Sequence, residues 1–144
     1  MAWQKSFDDV LNVVLGQNPW LTQESSPHCP PFRRALQKRI LSELTSPSLR
    51  RFEVILGPRR VGKTTLMYQL VTDLLKSGTP PERVFWLRLD HPMLVDESLD
   101  FWMKAVINIA NEHGTAKPSL ENPLYVFLDE VLYARNWAAW PMTF

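Results

Sequence analysis

The chain has 144 residues, of which 45% are hydrophobic and 22% charged, with a formal net charge of +1 at pH 7. This makeup suits one soluble globular domain rather than two, and the near-neutral balance gives no whole-molecule attraction to nucleic acid or to a membrane surface. No run approaches the roughly 20 apolar residues of a membrane-spanning helix, so no membrane partner is expected. Asp8 and Asp9 stand where a secretory signal would be basic and then apolar. A lone cysteine, Cys29, forms no internal disulfide, which points to the cytoplasm.

In chain order, the first predicted element is an amphipathic helix from Ser6, capped by that serine with Asp9 three residues on. Phe7, Val10, Leu11, Val14 and Leu15 form its apolar stripe, and Gly16, Asn18 and Pro19 end it. Residues 25–31 (SSPHCPP) read as a linker, because three prolines among small and polar residues sustain neither helix nor ladder. A second helix is predicted over about 32–44, with Leu36, Ile40, Leu41 and Leu44 inward and Arg33, Arg34, Lys38 and Arg39 outward.

Residues 52–56 (FEVIL) are of strand type and lead straight into Gly57. A third helix begins near Gly62, shows Leu66, Met67, Leu70, Val71, Leu74 and Leu75 on one face, and closes at Gly78 ahead of Pro80 and Pro81. Residues 84–89 (VFWLRL) form another strand. A helix over about 98–113 then carries Leu99, Trp102, Met103, Val106 and Ala110 at helical spacing. Residues 125–128 (YVFL) make an apolar strand that runs into Asp129 and Glu130. Strands separated by helices imply parallel pairing and an α/β class.

Residues 57–64 read G-P-R-R-V-G-K-T, which satisfies G-x-x-x-x-G-K-[ST] between a predicted strand and a predicted helix. In such a P-loop the backbone amides converge on phosphates and the helix adds the positive end of its dipole. Gly57, Pro58, Arg59, Arg60, Val61, Gly62, Lys63, Thr64 and Thr65 are therefore the candidate nucleotide-binding residues. Lys63 would reach the β- and γ-phosphates and Thr64 would offer its hydroxyl to Mg²⁺. Asp129, delivered to the end of an apolar strand, is the second candidate magnesium residue. Glu130 is the candidate catalytic residue, placed to orient or deprotonate a water attacking the γ-phosphate.

The segments GPRRVGKTTL, the strand ending in Leu89-Asp90, and FLDEV with Trp137 beyond it resemble bacterial and archaeal AAA-type ATP-binding proteins of the GPRRVGKTT group. The resemblance spans about 33–137. It implies an AAA+-like P-loop NTPase fold, a parallel sheet with flanking helices, with ATP and Mg²⁺ as cofactors. It also makes Lys63 the phosphate lysine, Thr64 and Asp129 the magnesium pair, and Glu130 the water-activating residue. In that group the DE strand is followed by a helix, a sensor strand and a C-terminal region that supplies arginines. Here Ala138, Ala139, Trp140 and Pro141 follow instead, so the expectation is a truncated domain. Residues 1–31 would be a helical lead-in with a Pro-rich linker and residues 32–144 a partial P-loop ATPase domain.

On this reading the partners are a nucleoside triphosphate and a protein partner or the missing C-terminal region. Nine basic residues between Arg33 and Lys63 against Glu43 and Glu53 make nucleic acid a weaker alternative, since no recognition motif accompanies them. The rivals are a non-catalytic switch or interaction module, in which nucleotide binding orders a surface for a partner, and an inactive fragment. His28, His91 and His113 are scattered and predict no metal site of their own.

Overall fold

A computed structural model describes residues 7–46, 62–92, 95, 97–112, 123–135 and 137. The strand expected at 52–56 lies outside the described residues. Among the described residues are the α-helices α1 (Phe7–Gln17), α2 (Ala35–Leu44), α3 (Lys63–Lys76) and α4 (Leu99–Glu112). Two strands, β1 (Val84–Arg88) and β2 (Tyr125–Asp129), pair in parallel with Val84 opposite Tyr125 and Arg88 opposite Asp129. The β1–α4–β2 order is a crossover unit, and it brings the C-terminal ends of both strands to the same edge, where open α/β sheets bind ligands.

Local chemistry sets the helix boundaries. Ser98 accepts the Phe101 amide at 3.2 Å through its hydroxyl and so caps α4. Gly78, at φ +97°, ends α3 with two turn bonds, Thr79 N to Leu74 O at 3.1 Å and Gly78 N to Leu75 O at 3.2 Å. This is a Schellman motif, and its left-handed residue is the reason for glycine there.

The core lies between the sheet and the helices. Phe85, Leu87, Leu89, Trp102, Val106, Leu70 and Leu74 are fully buried within it. Val10 and Val14 of α1, with Trp20 and Leu21 just beyond, belong to the same cluster. The first helix thus packs directly on the α/β unit, and Phe7 meets Phe101 of α4 edge-on at 6.1 Å.

The outer edge of β1 is closed by side chains. Trp86 N donates to Asn18 Oδ1 at 2.6 Å and Arg88 N to Gln17 Oε1 at 3.0 Å, while Gln17 Nε2 donates to Arg88 O and Trp20 Nε1 to Val84 O. Residues 84, 86 and 88 face away from β2, so without this cover the amides and carbonyls along this edge would lack their partners, two of them, Val84 O and Trp86 N, in buried positions.

Three sequence expectations change at the second helix. It starts at Ala35 rather than 32, and Leu36 is 39% exposed while Gln37 takes the inward position. Arg33 does not face solvent either: its guanidinium forks onto Asp73 of α3, Nη2 to Oδ1 at 2.9 Å and Nε to Oδ2 at 3.1 Å. Gln37 Nε2 joins the same carboxylate at 2.6 Å, and this polar cluster turns α2 so that Gln37 and Ile40 lie against α3.

Candidate phosphate and magnesium site

The N-terminus of α3 carries the site. Gly62 is its N-cap at φ +93° and ψ +21°, a left-handed conformation that glycine takes without strain. The first intrahelical bond runs from Leu66 N to Gly62 O at 2.9 Å. Amides in the first turn of a helix have no acceptor within it, so they are directed outward at the positive end of the dipole. Lys63, Thr64 and Thr65 form that turn, with Lys63 and Thr65 half-buried and Thr64 exposed. Gly57, Pro58, Arg59, Arg60 and Val61 lie outside the described residues.

β2 delivers the acidic half of the site. Its last residue, Asp129, is 8% exposed and accepts two hydrogen bonds. The Thr64 hydroxyl donates to Oδ2 at 2.6 Å and the Glu130 amide to Oδ1 at 3.0 Å. Residues 65 positions apart in the chain are thereby in direct contact, one on the helix and one on the strand. Both contribute oxygen, the donor type that Mg²⁺ prefers, and a Mg²⁺ site of one or two protein ligands is completed by phosphates and water. Among the described residues no group of three or more His, Cys, Asp or Glu could hold a metal by itself.

Glu130 leaves the strand in the left-handed region, at φ 55° and ψ 43°. A tight turn over Val131–Tyr133 follows, and Arg135 then bridges back to Ser98, with Leu99 N donating to Arg135 O at 3.2 Å. The return contact at the head of α4 fixes the exit of the chain and hence the direction in which Glu130 departs. Across the strand pair, Arg88 forks onto Asp90 at 2.7 and 3.2 Å. That hydrogen bond and charge hold the guanidinium above its ordinary pKa, with smaller contributions from Asp129 and Glu130. Tyr68 of α3 meets Trp86 with ring centroids 4.9 Å apart and planes tilted by 57°, and burial, helped by the Asp129 charge, raises its hydroxyl pKa.

A model of the AAA domain family matches residues 49–140, more than half of the chain and the whole of the segment that carries these groups. The chain belongs to the AAA domain family. A comparison with curated proteins and one with solved structures gave no match. AAA domains are nucleotide-binding P-loop domains, and the parallel β1–β2 pair with flanking helices agrees with such an α/β fold. No helix among the described residues is long and apolar enough to cross a membrane.

Two features of this chain were not legible in the sequence. Gln69, Thr72, Asp73 and Lys76 form a polar stripe at i, i+3, i+4 and i+7 on α3, a spacing that marks one helix face. That face receives the linker: Gln69 Nε2 donates to Pro30 O at 2.9 Å and Phe32 O at 2.7 Å, and Cys29 Sγ lies 3.6 Å from Thr72 Oγ1. The second is Asn18, which is wholly buried against β1 rather than only terminating a helix.

Proposed function

We propose that the chain binds ATP with Mg²⁺ and that its parent activity is ATP hydrolysis. Lys63 and the loop amides would hold the phosphates, Thr64 and Asp129 the magnesium ion, and Glu130 the attacking water. The observation that carries this reading is the 2.6 Å contact between the Thr64 hydroxyl and the Asp129 carboxylate at the N-terminus of α3. It brings together the two oxygen donors that the P-loop chemistry requires, one from the helix and one from the adjacent strand. The preference for ATP, the bacterial or archaeal motif group and a cytoplasmic setting rest on the resemblance of GPRRVGKTT and FLDEV and on the single cysteine.

Glu130 separates hydrolysis from a nucleotide-dependent switch. Replacing it with glutamine keeps the shape and hydrogen-bonding reach but removes the base. Glu130→Gln is expected to bind Mg-ATP as the parent does and to lose turnover by about 10²- to 10⁴-fold, measured as phosphate release. Equal phosphate release by parent and variant would remove Glu130 from the chemistry and favour the switch.

A further inference from the structure

Arg34 lies outside the phosphate motif in sequence, yet its guanidinium rests on the residue that starts α3. A Cβ built on Gly62 would stand 3.2 Å from Arg34 Nη2 and 3.5 Å from both Cζ and Nη1. Near-equal distances to the carbon and both terminal nitrogens mean that the planar group is laid flat over the glycine. The approach exists because Gly62 has no side chain, in addition to the φ of +93° that already favours glycine there.

The segment that delivers Arg34 is fastened along α3. Arg33, its neighbour, forks onto Asp73 and also donates through Nη1 to Pro30 O and Pro31 O, each at 2.9 Å. Gln69, 4% exposed, holds Pro30 and Phe32 through their carbonyls. The backbone leading into residue 33 is thus tied to the helix whose N-terminus Arg34 reaches, so this segment has little freedom left to lose when Arg34 engages a ligand.

Electrostatics indicates which ligand. The N-terminus of a helix carries positive potential and repels a cation, and Lys63 adds a full charge beside it. A polyphosphate bound there reverses the sign of both interactions, and a planar fork of donors suits phosphate oxygens. We propose that Arg34 is a ligand of the phosphate chain, supplied from the segment that precedes the P-loop. This assignment rests on the nucleotide-binding reading above and adds a residue to it.

The test measures binding of Mg-ATP and of magnesium tripolyphosphate to the full chain by calorimetry, in the parent, Arg34→Met, Arg34→Lys and Lys63→Ala. Melting temperatures of the two Arg34 variants are measured beside the parent's, so that binding is compared between folded chains. Methionine keeps bulk over Gly62 without charge. It should weaken both ligands by roughly ten- to a hundredfold, as loss of a charge-assisted hydrogen bond does, and lysine should restore part of the loss. Arg34→Met binding both ligands like the parent would reduce Arg34 to packing and overturn the proposal. Weakened ATP binding with unchanged tripolyphosphate binding would also overturn it, by moving the contact to base or sugar. If Lys63→Ala binds both ligands normally, the P-loop site itself is misplaced, a failure distinct from that of Arg34.

Discussion

Glu130 holds a left-handed backbone conformation that costs a residue with a Cβ about 1–2 kcal/mol. The surrounding structure enforces it: the Glu130 amide is drawn to Asp129 Oδ1 on one side, and the turn to Tyr133 N begins at its carbonyl on the other. Strain of this kind persists only where the surrounding structure over-determines the backbone. Glycine would relieve it while raising the entropy of the unfolded chain. Glu130→Gly is therefore expected to leave unfolding free energy unchanged or to raise it by up to about 1 kcal/mol, as read from denaturant unfolding. A clear destabilisation would mean that the Glu130 side chain makes a structural contribution.

The elements of this fold hold one another largely through polar groups that the apolar pattern does not reveal. Asn18 bridges Val14 O and Trp86 N from a fully buried position. Asn18→Ala would strand both, and is expected to cost about 2–3 kcal/mol in thermal or denaturant unfolding. Gln17→Ala, at a more exposed end of the same edge, should cost less. Asp73 ties the linker and α2 to α3. Burial pushes its carboxyl pKa up, but hydrogen bonds from Arg33 and Gln37, the guanidinium charge and Lys76 outweigh that and hold it below the usual range. A carboxyl whose folded pKa is depressed contributes fully above its unfolded value and loses that contribution as pH falls through the folded one. Stability should thus decline below about pH 4, and Asp73→Asn should flatten that acid limb.

These same elements show what the sequence carries. The helical periods at Phe7–Gln17, Lys63–Lys76 and Leu99–Glu112 and the strands Val84–Arg88 and Tyr125–Asp129 were legible because apolar spacing and Gly, Ser and Pro boundaries agreed. Asp129 and Thr64 were legible as a pair because one motif ends a strand and the other starts a helix. The inward turn of Gln37 was not, because a hydrogen bond to a carboxylate 36 positions away overrides the leucine at position 36. Neither was the role of Arg34, whose approach to Gly62 depends on how the linker is fastened to α3.

At the scale of the molecule, the AAA domain places its catalytic candidates where three packing relations meet. α3 lies on β1, β1 pairs with β2, and α1 with Asn18 and Gln17 closes the far edge of β1. The N-terminal helix thereby supports the strand that sets the position of Asp129. Burial of Val10 and Val14 links that support to the common core, so loss of α1 would expose both apolar surface and a strand edge.

The central claim is that α3 and β2 form a working phosphate and magnesium site, and the most direct test is Mg²⁺-dependent ATP binding to the 144-residue chain by calorimetry, with Lys63→Ala as control. Saturable binding that requires Mg²⁺ and disappears in Lys63→Ala is expected. A folded chain that binds no ATP, or a Lys63→Ala variant that binds as tightly as the parent, would contradict it.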